Sequence, residues 1–64
     1  ESLNFRRSLY VVKDIIKGEE FTEENTRSIR PGYGAHPKHL IEVIGCKAKV
    51  NLKKGTPFEL KFIE

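Results

Sequence analysis

The strongest chemical feature of the sequence is the run Arg30-Pro31-Gly32-Tyr33-Gly34. Proline fixes one backbone dihedral, and the glycines permit tight turns and close backbone approach. An arginine heading such a loop sits on a rigid mount. Its guanidinium offers five N–H donors and no acceptor, which suits an oxygen-bearing ligand. The chemistry implied is binding rather than bond breaking. A solvated arginine beside an ordinary turn is the competing reading, and the residues alone leave both open.

No catalytic constellation accompanies this loop. The sequence has no nucleophile–base pair in a usable context and no paired carboxylates in a catalytic setting. Gly32-Tyr33-Gly34 lacks the third glycine and the strand-to-helix setting of a dinucleotide-binding loop. His36 and His39 flank an expected helix start and read as surface or capping residues, with a ligand or proton-transfer role as the alternative. Cys46 is the only cysteine, so no disulfide closes within one chain and no zinc-ligand spacing exists. It is expected to pack as a small apolar side chain rather than act as a reactive thiol. Tyr10 is expected in the core of a strand. Tyr33 could present its ring to a partner.

The elements that hold the loop follow from an internal echo at an offset of 37 residues. Val11 to Phe21 is one copy and Ala48 to Phe58 the other. The aligned pairs include Asp14/Asn51, Ile15/Leu52, Lys17/Lys54, Gly18/Gly55 and Phe21/Phe58. Each copy runs a short strand into a Lys-Gly turn, where glycine takes positive φ without a steric cost. Three residues later an aromatic returns to the core. Two such units related by a pseudo-two-fold give a mostly β domain with short helical turns.

Around this frame, Leu9 to Val12 reads as a strand. Thr22 reads as an N-cap followed by Glu23-Glu24-Asn25 in one helical turn. Arg27 to Arg30 is expected to be extended, because Pro31 disfavours helix before it. Pro37 marks the start of a helix over Lys38 to Ile44, about two turns long. Leu40, Val43 and Ile44 share one face of it, and Gly45 is the C-terminal cap. Phe58, Leu60 and Phe62 alternate, which predicts a terminal strand within Thr56 to Glu64. The first residues, 1–5, read as a linker remnant, and 1–64 as a single domain.

Composition limits the partners. Sixty-four residues make one small core, which must be well packed or attached to a larger body. The absence of Met and the start at Glu1 suggest a piece of a longer protein. The net charge of +3 arises from 12 basic and 9 acidic residues that are well mixed, so nucleic acid is not an expected partner. No apolar run approaches a membrane span and no signal-peptide pattern is present, so a membrane is not expected either. The lone thiol fits a reducing, cytoplasmic setting.

Read together, these segments resemble a known family. Arg7 to Ile15, Lys17-Gly18-Glu19, Phe21 to Asn25 and Arg27 to Gly34 are similar to the C-terminal SAF domain of bacterial N-acetylneuraminate and pseudaminic acid synthases. His36-Pro37-Lys38, Ile44-Gly45, Lys47-Ala48 and Lys53 to Pro57 continue the match, which covers Arg6 to Glu64. Arg-Pro-Gly-Tyr-Gly followed by His-Pro-Lys looks closer to the pseudaminic acid synthase branch, without separating it from the N-acetylneuraminate branch. Ala35 and Cys46 depart from residues common in relatives, a larger apolar residue and a lysine.

The resemblance implies the β-clip fold of type III antifreeze proteins. It implies a longer enzyme that condenses phosphoenolpyruvate with an N-acetylated amino sugar, in a TIM barrel dependent on a divalent metal, Mn or Mg. In that family the enzymes are homodimers, and the SAF domain of one chain covers the barrel mouth of the other. An arginine of this domain reaches the sugar's N-acetyl group, and Arg30 is the matching position. Pro31, Gly32, Tyr33 and Gly34 would support it. Catalytic residues, metal ligands and cofactors would all belong to the barrel and none to this chain. Two alternatives share the fold. One is a module of flagellar or pilus assembly proteins, against which the Arg-Pro-Gly-Tyr-Gly loop argues. The other is an ice-binding domain, disfavoured because Lys13, Glu19, Glu20, Glu23 and Glu24 fall on or beside the would-be ice face.

Overall fold

Leu9 and Val11 face one side of a strand and enter the core, while Ser8 and Tyr10, on the opposite pleat, are buried as well. A computed structural model describes residues 5–64 and shows why this strand is covered on both faces. Strand β1 (Ser8–Val11) pairs antiparallel with β2 (Thr26–Ile29), with Ser8 opposite Ile29 and Val11 opposite Thr26. On its other edge, Val11 exchanges bonds with the 55–56 segment, and the Phe58 N–H donates to the Leu9 carbonyl at 2.9 Å.

The internal echo is a structural two-fold. Ile15 and Leu52, equivalent in the two copies, donate to each other's carbonyls at 2.8 and 2.7 Å. The Asp14 carboxylate accepts from Lys54 N–H at 2.8 Å, and the Asn51 carbonyl oxygen accepts from Lys17 N–H at 2.6 Å. Gly18 N–H donates to Ala48 and Gly55 N–H to Val11. Both glycines have the expected positive φ, 90° and 94°. Phe21 and Phe58 meet edge to face at 5.1 Å, fully buried on the axis. Such a pair adds about 0.5–1.5 kcal/mol beyond its buried area.

Thr22 starts a single turn. Its hydroxyl accepts from Glu24 N–H and its carbonyl from Thr26 N–H. Asn25, buried in that turn, accepts from Thr22 N–H and Thr26 Oγ1 and donates to the Glu20 carbonyl, so its amide is satisfied. The predicted helix is a 3-10 turn (Pro37–His39) continuing into α1 (Leu40–Val43). Val43 is buried in the core, and Gly45 follows with φ 96°. Cys46 packs against the core and directs its thiol to the Glu42 carbonyl.

The predicted C-terminal strand is corrected. Leu60–Phe62 is a 3-10 turn that rotates the chain. Leu60 is thereby exposed, Phe62 stacks edge to face on Phe58 at 5.9 Å, and Ile63 bridges Ala48. A straight strand beyond Phe58 would carry Phe62 and Ile63 away from that core contact. Among the described residues, no helix is long and apolar enough to cross a membrane. Of the linker expected at 1–5, residues 1–4 lie outside the described residues.

Candidate functional site

Ser8 begins β1 and is buried directly beneath the Arg30–Gly34 loop. Its hydroxyl donates to the Pro31 carbonyl at 2.8 Å and accepts from Gly34 N–H at 3.0 Å. One side chain therefore closes both ends of the turn. Ala35 anchors the exit, accepting from Leu9 N–H at 2.9 Å and donating to the Phe58 carbonyl at 2.8 Å. The Arg30–Pro31 peptide is cis.

The two loop glycines differ in their reasons. A Cβ at Gly34 would collide with the Leu9 carbonyl oxygen and lie 3.0 Å from the Phe58 nitrogen, both fixed backbone atoms. A Cβ at Gly32 would meet the Arg6 side chain at 2.8 Å, and that side chain is exposed and can shift. Gly34 is thus demanded by the close backbone approach that the sequence suggested, and Gly32 far less so.

Arg30 is exposed, and its Nε donates to the Phe5 carbonyl at 3.0 Å. One of its five donors is spent on orientation, which leaves the two terminal amino groups as an outward fork. Among the described residues, no carboxylate forms a salt bridge with it. Tyr33 leaves the same turn with 60% of its surface exposed. Tyr10 is buried, as expected of a core strand residue.

His36 and His39 lie beside this loop. His36 Nδ1 accepts from Lys38 N–H at 3.0 Å, so His36 caps the 3-10 turn. His39 Nδ1 lies 3.5 Å from a Glu42 carboxylate oxygen. Among the described residues, no three His, Cys, Asp or Glu side chains converge on a metal position. The divalent metal implied by the resemblance finds no ligand set among these residues.

Sequence reasoning singled out the loop and its arginine but not Ser8 and the Phe5 carbonyl, which bond to them in the structure. Both act across long sequence separations, and a single serine carries no periodic signal. The glycine demanded by backbone crowding was the one hint that something packs beneath the loop.

The pseudo-two-fold frame with its short helical turns defines an antifreeze-protein-like domain of the β-clip type. It superposes on the antifreeze-protein-like domain of human N-acetylneuraminic acid phosphate synthase with a TM-score of 0.80, covering 89% of this chain and 73% of that one at 16% identity. The chain belongs to the SAF domain family, which it matches over residues 6–64. It is 50% identical to the pseudaminic acid synthase of Helicobacter pylori, over 94% of this chain and 18% of that protein. It is 55% identical to that of Campylobacter jejuni, over 80% and 15% respectively. The N,N'-diacetyllegionaminic acid synthase of Legionella pneumophila is 32% identical over 92% of this chain and 17% of that protein. Among solved structures, the spore coat polysaccharide biosynthesis protein spsE of Bacillus subtilis matches 95% of this chain and 18% of its own, with TM-score 0.84 and 30% identity. The chain spans less than a fifth of the curated relatives it matches.

Proposed function

We propose that this chain is the C-terminal substrate-covering domain of a sialic-acid-type synthase, which condenses phosphoenolpyruvate with an N-acetylated amino sugar. In this reading the domain closes over the TIM barrel of the partner subunit in a homodimer, in the cytoplasm, and any divalent metal, Mn or Mg, is held by the barrel. Synthases among its relatives make pseudaminic acid and, by its name, a legionaminic acid with two N-acetyl groups. The domain itself carries no catalytic residue and no cofactor. Arg30 is its substrate-binding residue, and Pro31, Gly32, Tyr33 and Gly34 hold it.

The observation that carries this reading is the mount of Arg30. Ser8 closes the turn behind it, and the Phe5 carbonyl holds Nε. A guanidinium fixed by its inner nitrogen keeps its outer fork for an acetamide carbonyl in an opposing barrel. The exposed Glu19, Glu20, Glu23 and Glu24 disfavour ice binding, because strongly hydrated carboxylates do not match an ice lattice.

The test is Arg30→Ala in the full-length protein. A hydrogen bond from a charged group is worth roughly 1.5–3 kcal/mol, or about ten- to a hundredfold. The variant is expected to lose that factor in kcat/KM for the amino sugar, with little change in KM for phosphoenolpyruvate. Arg30→Lys recovers part of the loss, because an ammonium lacks the planar fork. Unchanged sugar kinetics with a sharp fall in thermal stability would make Arg30 a structural residue.

A further inference from the structure

Phe5, Arg6 and Ser8 each touch a different part of the turn that carries Arg30. The Phe5 carbonyl accepts from Arg30 Nε at 3.0 Å. The aliphatic stem of Arg6 crosses the face of Gly32: its Cδ, Cβ and Cγ lie 2.8, 2.9 and 3.0 Å from where a Cβ on that glycine would stand. Ser8 holds Pro31 and Gly34 from below. The pairing of β1 with β2 ends at Ser8 and Ile29. Residues 5–7 therefore lie beyond the ladder, and all three are exposed. Arg7 reaches the Ser28 carbonyl only at 3.5 Å, the outer limit of a hydrogen bond.

An arginine side chain has many rotamers, and ordering it at the moment of binding weakens the ligand. A carbonyl on Nε orders it beforehand and leaves the terminal amino groups free. That carbonyl is only as fixed as the segment that carries it. Gly32 does not take a positive φ, so its backbone does not require glycine. The space it leaves is the space that the Arg6 stem occupies. A long basic side chain commonly lays its stem along a surface in this way while its charged head stays in water.

We propose that Phe5 and Arg6 form a strap that positions Arg30. The Arg6 stem, seated on Gly32, fixes the Phe5 carbonyl, and the carbonyl aims the guanidinium. Arg6 touches no substrate and acts through Arg30, so the proposal rests on the sugar-binding reading of Arg30.

The carbonyl cannot be deleted by substitution, so the test is made at Arg6, in the full-length protein at saturating phosphoenolpyruvate. N-acetylmannosamine and a diacetamido hexose are both offered, and the sugar that turns over is used. Arg6→Ala removes the stem and is expected to raise KM for the sugar about two- to tenfold. Arg6→Met keeps a stem without the charge and should stay within about twofold of the parent protein. In an Arg30→Ala background, Arg6→Ala should cost nothing further, because the group it acts through is gone. Proton exchange at Arg30 Nε, followed in arginine-labelled full-length protein, should quicken in Arg6→Ala and not in Arg6→Met. If Arg30→Ala alone leaves the sugar kinetics unchanged, the sugar-binding reading falls and the strap falls with it. Where Arg30→Ala does weaken the sugar, an unchanged Nε exchange in Arg6→Ala overturns the strap alone. So does an Arg6→Ala effect that persists without Arg30, or an Arg6→Met loss equal to that of Arg6→Ala.

Discussion

The two halves of the domain share most of their backbone bonds, on both sides of their aromatic residues, and differ in what bonds the aromatic carbonyls. Phe21 N–H donates to the Cys46 carbonyl and Phe58 N–H to the Leu9 carbonyl, the equivalent bond. The seats at those carbonyls are filled differently. In one half, Gly45 N–H takes the Phe21 carbonyl and the Val43 carbonyl takes Cys46 N–H, so the end of α1 fills the seat. In the other, Ala35 alone makes both contacts, to Phe58 and Leu9. Ser8, which buckles the loop, is equivalent to Gly45, which has no side chain. The repeated frame is therefore a scaffold, and the candidate site lies where the repeat is broken.

The sharpest way to break this comparison is at Gly34. The loop half admits no Cβ there, because backbone from both Leu9 and Phe58 occupies the space. Overpacking against atoms that cannot move costs about 3 kcal/mol or more. A domain of this size has a total stability of only about 3–10 kcal/mol. Gly34→Ala is expected to unfold most of the chain or lower its urea midpoint drastically. Gly32→Ala, facing the movable Arg6, should cost less than about 1 kcal/mol. Equal losses in the two variants would show that the loop seat is not the rigid feature described.

The frame was legible because its code is local. A Lys-Gly turn, an Asp or Asn three residues ahead of its lysine, and an aromatic three residues beyond its glycine repeat in both halves. From this came the positive-φ glycines at 18 and 55 and the buried phenylalanines. The site was legible only in its loop. Ser8 reaches Pro31 and Gly34, and Arg30 reaches Phe5, across separations that leave no pattern in sequence. The C-terminal segment misled for a related reason. The alternation of Phe58, Leu60 and Phe62 fits a strand, but the seat for Ile63 on Ala48 requires the chain to turn first.

A smaller effect separates the loop from the frame. Ser8→Ala leaves the Pro31 carbonyl and Gly34 N–H without their shared partner, at a cost of about 1–3 kcal/mol. The loss should appear as faster hydrogen exchange at Gly34. The reciprocal Ile15 and Leu52 amides should keep their order of protection, because their bonds lie on the two-fold and do not involve Ser8. Uniform acceleration at all three amides would show loop and frame opening as one unit, contrary to the division drawn between them.

The smallest expected effect tests the two-fold itself. Asp14 and Asn51 occupy equivalent positions, and each accepts one backbone N–H of the opposite turn through Oδ1. The role needs a side-chain oxygen at that place and not a negative charge, since an amide already fills it in one half. Both residues are exposed, so screening by water weakens any charge contribution. Asp14→Asn is therefore expected to change stability by less than about 0.5 kcal/mol. Asp14→Ala and Asn51→Ala each remove the bond and should cost about 1 kcal/mol. The two bonds flank the same Ile15–Leu52 pair, so the double alanine variant should depart from additivity. Urea denaturation of the four variants at low and high salt decides the matter. If Asp14→Asn costs as much as Asp14→Ala at low salt and recovers at high salt, the carboxylate acts by charge and the halves are not chemically equivalent. If the single alanine variants lose similar amounts and Asp14→Asn loses almost nothing, geometry alone carries the repeat.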